Sequence, residues 1–177
     1  GFVRAEKQGR HKYLTLASAE VARLIEAMMA LAGQGGGRTP GRLALPGPRD
    51  PALREARLCY NHLAGTLGVQ VYQSLSANGC LAHVNGGLTL TPEGHGFALG
   101  FGLSEADLAP PPGSARTPLC RDCLDWSERQ SHLGGRLGRL LLARMEAQGW
   151  LRRKPESRAL TVTPEGRRAI ARAFPAR

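Results

Sequence analysis

The chain opens on alternation. Phe2–Lys7 and His11–Leu16 carry β-formers on either side of Gln8-Gly9-Arg10. Gly9 tolerates positive φ, so the pattern predicts a short hairpin with a basic tip. The period then changes. Val21, Leu24, Ile25, Met28 and Leu31 recur at spacings of three and four behind Ser18, a good N-cap, and predict a helix that Gly33 ends. Residues 33–51 hold six Gly and four Pro, which suits no regular element and reads as a linker.

Beyond Pro51 the pattern repeats itself. "HLAGTLG" from His62 aligns with "HLGGRLG" from His132 at an offset of 70, which also brings Gly79 and Leu81 onto Gly149 and Leu151. Two extra residues then enter, and Thr91-Pro92-Glu93-Gly94 aligns with Thr163-Pro164-Glu165-Gly166. Each copy predicts a short helix bearing His-Leu-x-Gly-x-Leu-Gly and a longer helix, Val69–Ala77 or Arg139–Ala147, capped by Asn78-Gly79 or Gln148-Gly149. A β-ribbon follows, Cys80–Val84 with Gly87–Thr91 or Trp150–Lys154 with Ala159–Thr163. Thr91 and Thr163, each followed by Pro at the first helical position, open a closing helix. Leu137, Leu140, Leu141, Met145, Trp150 and Cys80 fall at core positions. The expected fold is α+β and mainly helical: winged-helix modules, two of them tandem pseudo-repeats after a partial N-terminal winged helix. The expected domains are a wing and dimerisation helix at 1–32, the linker at 33–51, and modules at 52–109 and 110–177.

Composition adds a charge. The 177 residues include 24 Lys and Arg against 14 Asp and Glu, a net charge of +10, and all but three of the basic residues are Arg. Part of this is the Arg-, Ala- and Gly-rich usage of a G·C-biased genome, yet a field of this sign attracts polyanions. At 42% hydrophobic residues the chain can build a core and is not disordered. No stretch of 18 apolar residues and no signal peptide is present, so the expected setting is cytoplasmic, without a membrane. Four Cys are too few for a disulfide scaffold of this size, which leaves reduced thiols or metal ligation.

Two segments carry a family resemblance. "GFVRAEKQGRHKYLTLASAEVARLIEAMMALA" resembles the wing and last helix of the arsenical-repressor-type (ArsR) winged-helix regulators of bacteria. "CYNHLAGTLG", "LTPEG" and "PLCRDCLDWSERQSHLGG" resemble the long C-terminal extension of one subgroup. The resemblance implies double-stranded DNA as partner, a homodimer, and phosphate contacts from the wing residues Lys7, Arg10, His11 and Lys12. It also implies a recognition helix ahead of the wing. The expectation is that this helix is missing here, since the chain starts at Gly1-Phe2, where it would already have ended.

Chemistry concentrates in the repeats. Cys59-Tyr60-Asn61-His62 is a C-x2-H pair, and Cys120-Arg121-Asp122-Cys123 is a C-x2-C pair on a loop or helix start. Three thiolates and an imidazole suit tetrahedral zinc, so Cys59, His62, Cys120 and Cys123 are the candidate metal ligands. His132, the duplicate of His62, is a substitute. Tyr60, Trp126 and Arg129 would wall an anionic or planar effector. Asp122, Asp125 and Glu128, three apart, are read as charges on one helix face. No nucleophile elbow, phosphate loop, dinucleotide fingerprint or H-E-x-x-H occurs, so an enzyme is not expected. These features predict the C-terminal part of a DNA-binding transcriptional regulator that senses a metal, an oxidant or a small ligand. The alternatives are a structural or protein-interaction module stapled by zinc, and a thiol redox switch built on Cys120 and Cys123.

Overall fold

The structure is a computed structural model that describes residues 1–8, 11–18, 20, 21, 24, 25, 27, 28, 47–110 and 118–176. It divides into two compact units, Gly1–Gly41 and Arg42–Arg177. Among the described residues no helix is long and apolar enough to cross a membrane.

In the first unit, β1 (Val3–Gln8) pairs antiparallel with β2 (His11–Leu16), with Val3 opposite Leu16, Lys7 opposite Lys12 and Gln8 opposite His11. The tip residues Gly9 and Arg10 lie outside the described residues. Ser18 Oγ accepts from the Val21 N–H at 3.4 Å, and residues 20, 21, 24, 25, 27 and 28 are helical. The expected stop at Gly33 and the linker as far as residue 46 fall outside the described residues.

The second unit repeats one sequence of elements twice. After a short helix α1 (Pro51–Glu55), the first copy runs β3 (Arg57–Cys59), β4 (His62–Ala64), α2 (Thr66–Ala77), β5 (Leu81–Val84), β6 (Gly87–Leu90) and α3 (Pro92–Gly100). A one-turn helix α4 (Glu105–Leu108) intervenes. The second copy runs β7 (Arg121–Leu124), β8 (Ser131–Gly134), α5 (Gly135–Ala147), β9 (Leu151–Arg153), β10 (Leu160–Val162) and α6 (Pro164–Ala173). Among the described residues every sheet is an antiparallel ribbon of two strands. The fold is therefore mixed α+β, with two similar hairpin–helix units and more strand than the helix-dominated expectation.

The expected short helix at His-Leu-x-Gly-x-Leu-Gly is not there. His62-Leu63 and His132-Leu133 are strand residues, and the rest of the motif already belongs to the long helix. The physical reason lies at the strand ends: Gly65 and Gly135 take φ of +86° and +79°, which turns a strand directly into a helix. Of the C-x2-C pair, Cys120 lies in a loop, in the bend before β7, but Cys123 sits inside the strand. Likewise Asp122 lies on β7 and Asp125 and Glu128 in the loop after it, so they share no helix face.

The repeated Thr-Pro-Glu-Gly has one physical explanation in both copies. Thr91 Oγ accepts from Gly94 N–H at 3.0 Å and donates to Gly79 O at 2.6 Å; Thr163 Oγ accepts from Gly166 N–H at 2.9 Å and donates to Gly149 O at 3.0 Å. Each threonine thus caps the closing helix and ties it to the end of the preceding one. A Cβ on Gly94 or Gly166 would stand 2.1 Å from Cys80 O or 2.2 Å from Trp150 O, so only glycine admits the ribbon so close to the helix.

The copies share a single core. Leu63, Val71, Leu75, Leu81 and Leu88 of the first pack in the same cluster as Leu133, Leu137, Leu141, Met145 and Ile170 of the second. Packing is reciprocal: α2 lies on β8, α5 lies on β4, and β4 lies against β8. Phe97, Phe101, the half-buried Trp150 and the fully buried Phe174 extend this core through ring contacts at 5.5 to 5.7 Å. Within each copy the helix lies close on the strand before it because Gly68 and Gly138 lack a side chain; a Cβ there would stand 2.6 Å from Leu63 O and 2.1 Å from Leu133 O.

Gly138→Ala should therefore lower stability by about 1–3 kcal/mol, the usual result of overpacking. Gly96 lies inside α3 with open space where a Cβ would stand. Its change to Ala should instead raise stability by about 0.5–1 kcal/mol. Urea denaturation midpoints of the two variants check both signs.

Candidate metal centre

Both copies begin with a hairpin, and each hairpin sets a cysteine across from a histidine. Cys59 pairs with His62 around the two-residue turn Tyr60-Asn61, in which Tyr60 takes φ of +58°. Cys123 pairs with His132. Because β4 lies against β8, the two pairs face each other. Cys59 Sγ stands 3.8 Å from Cys123 Sγ, and His62 Nε2 stands 3.1 Å from His132 Nε2. The rings stack with centroids 5.0 Å apart. The four ligand atoms lie within 4.8 Å of one another, and only Cys59 is not fully buried. This cluster is able to bind a metal ion.

The same glycines border this site. The Cβ position of Gly68 lies 3.6 Å from His132 Cβ, and that of Gly138 lies 3.4 Å from His62 Cβ. Each helix thus supports the histidine of the other copy.

The electrostatics favour anionic sulfur. The Cys59 thiol is held far below its ordinary value: the adjacent Cys123 sulfur contributes most, and with the His132 and His62 imidazoles it outweighs the effect of burial. Outside the ligand atoms, His62 Nδ1 meets Asn61 Oδ1 at 3.3 Å. His132 Nδ1 stands 3.9 Å from Asp125 Oδ2 and has no hydrogen bond among the described residues.

Asp125 anchors the arrangement. Its Oδ1 accepts from Arg57 at 2.5 Å, from Ser127 N–H at 2.9 Å and from Ser127 Oγ at 2.8 Å, and its Oδ2 accepts from Gly65 N–H at 2.7 Å. Arg57 also donates to Leu53 O and Ser127 Oγ, each at 3.0 Å, and its guanidinium lies 5.5 Å from the centre of the Trp126 ring. Burial works against the charge of Asp125, but the Gly65 N–H, Ser127 and Arg57 prevail and hold its carboxyl at about 2. The second hairpin loop is thereby locked to the first hairpin and to the turn entering α2.

The sequence-predicted residues divide as follows. Cys59, His62 and Cys123 come together, and the fourth ligand atom is supplied by His132. Cys120 lies in the hydrophobic core, where burial pushes its thiol up to about 12. The reason is local: Cys120 sits in the bend before the strand and turns into the core, whereas Cys123 is carried by β7 opposite His132. Cys80 is a core residue at the start of a ribbon. Tyr60 is exposed at the first hairpin's tip, while Trp126 and Arg129 lie in the second hairpin's loop. All four cysteines are thiols. The wing residues Lys7 and Lys12 sit opposite each other on β1 and β2.

Sequence reasoning missed Arg57 and the role of Asp125. It also missed that Cys59 and Cys123 are equivalent. The histidines are 70 apart but the cysteines 64, because the second hairpin is six residues longer. Aligning the two hairpins from their paired strands rather than at constant offset would have exposed the match.

Compared with known proteins, the chain is similar to the uncharacterized HTH-type transcriptional regulator YdfF of Bacillus subtilis (strain 168). The two are 36% identical over 168 residues, covering 95% of this chain and 71% of that protein. No protein-family model matches the chain, and no solved structure matches it.

Removing the Asp125 carboxylate strands a buried guanidinium. Asp125→Ala should lower stability by about 3–5 kcal/mol. Glu105→Ala, which breaks an exposed contact with His95, should lower it by no more than about 1 kcal/mol. Chemical denaturation of both variants measures the difference.

Proposed function

The chain belongs to a family of helix-turn-helix-type transcriptional regulators, and from that premise we propose that it acts as a DNA-binding regulator of the arsenical-repressor type. In this reading residues 1–32 are the wing and dimerisation helix of a winged-helix domain. Residues 33–51 are a linker, and 52–109 and 110–177 are winged-helix-like modules that receive a signal. The observation that carries the reading is the similarity to an HTH-type regulator along almost the whole chain.

The wing supports DNA as the partner. Lys7, His11 and Lys12 lie on the β1–β2 ribbon, and together with Arg10, their neighbour in sequence, suit phosphate contacts. Leu24 and Met28, one helical turn apart and both exposed, suit the matching helix of a second copy in a homodimer. The buried Cys/His cluster supports a C-terminal unit that responds to a ligand in the cytoplasm, by biasing the dimer between DNA-competent and incompetent forms. Tyr60, Trp126 and Arg129 are the residues that would meet an effector approaching the hairpins from solvent. A thiol redox switch is the second reading; the 3.8 Å between Cys59 and Cys123 favours that pair over Cys120 with Cys123.

In a gel shift, the full-length protein should retain a fragment of its own promoter. Changing Lys7, Arg10 and Lys12 together to Ala should weaken retention on every sequence alike and flatten its dependence on salt by about one unit of slope per lost phosphate contact. Failure to retain any promoter fragment overturns the reading.

A further inference from the structure

We propose that Cys59, His62, Cys123 and His132 form a closed tetrahedral site for one zinc(II)-class ion, and that this ion clamps the two copies of the repeat to each other. The inference names the ligand of the C-terminal unit and so rests on the effector half of the proposed function, but not on DNA binding.

The distances suit such an ion. Thiolates about 2.3 Å from a tetrahedral zinc stand about 3.8 Å apart, and imidazole nitrogens at about 2.0–2.1 Å stand about 3.3 Å apart. The sulfurs here are separated by 3.8 Å and the Nε2 atoms by 3.1 Å. The whole ligand set spans no more than 4.8 Å, which surrounds a single ion. A two-iron cluster would need its thiolate pair and its imidazole pair on different irons, farther apart than this set extends.

The donor types point the same way. Two sulfurs with two imidazoles select a borderline-soft ion of tetrahedral preference over calcium or magnesium, which take oxygen. Two thiolates neutralise a 2+ charge, and the protons they give up pass to solvent. The two imidazoles bind in their neutral form through Nε2, which leaves Nδ1–H of His62 aimed at Asn61 Oδ1 and that of His132 toward Asp125. The contact between two Nε2 atoms needs one of them protonated when no ion is present; an ion uses both as acceptors.

All four positions are filled by protein, so the site is structural in type rather than hydrolytic. Its ligands come in pairs, one cysteine and one histidine from each copy, so neither copy can complete it. Metal occupancy is therefore coupled to how the copies are held together.

Cobalt(II) reports the geometry. The reduced, metal-free full-length protein should take up one equivalent of Co(II) per chain, with the intense visible bands of a tetrahedral site and a sulfur-to-cobalt charge-transfer band, and Zn(II) should abolish both. Cys120→Ser should leave this titration unchanged. Cys59→Ser and Cys123→Ser should weaken uptake by more than roughly 100-fold, since even losing an outer partner of a ligand typically weakens binding 10–100-fold. A measurement on the unaltered protein covers the case in which those variants do not fold: adding Zn(II) should slow alkylation of Cys59 and Cys123, mapped by mass spectrometry, and leave the rates of Cys80 and Cys120 as they were. No uptake by reduced protein, a six-coordinate spectrum, or protection that falls on Cys80 or Cys120 instead would overturn the proposal. The gel shift reads the other half separately. Uptake without promoter retention overturns the regulator and leaves this site standing, and retention without uptake does the reverse.

Discussion

The close approach of α2 and α5 to the strands before them governs the second unit. It is possible only because Gly68 and Gly138 present no Cβ to the carbonyls of Leu63 and Leu133. The same two helices also carry the packing across the copies, α2 on β8 and α5 on β4, beside one merged apolar core and the facing His62 and His132. Close packing of this kind is steep in distance, so a single methyl group is felt.

The symmetry stops at the loops. The first hairpin turns in two residues, whereas the second carries the loop that contains Asp125, Trp126 and Ser127. This loop wraps Arg57 of the first hairpin in hydrogen bonds and an aromatic face. An insertion in one copy has become the bracket that holds the other. A buried ion pair of this kind adds little net stability, but leaving one partner alone is expensive, so it strongly specifies which hairpin meets which.

Much of this was legible in the residues. The repeated Thr-Pro-Glu-Gly gave both caps, and the 3–4 spacing of Leu137, Leu141 and Met145 gave a core helix, because these signals are local. The ribbons expected after Gly79 and Gly149 are also there, shorter by a residue or so at their ends. The His-Leu segments misled because a strand this short has no period to detect, and its pairing is decided by a partner across a turn. The fourth ligand position was ambiguous for a related reason. C-x2-C is a spacing suited to a loop, but here Cys120 stays in the bend while Cys123 enters β7, and only the tertiary pairing sets His132 rather than Cys120 beside it. Arg57 and Asp125 were invisible as a pair because 68 residues of chain separate them.

The reciprocal hairpins have one more consequence. A cluster assembled from two equivalent halves is usually found between separate subunits, where its formation depends on how much protein is present. Here both halves are carried by one polypeptide, and their local concentration is set by the intervening chain and a shared core rather than by expression level. Dilution cannot pull the halves apart. The duplication thus frees the cluster from protein abundance, and whatever fills it answers only to its own supply.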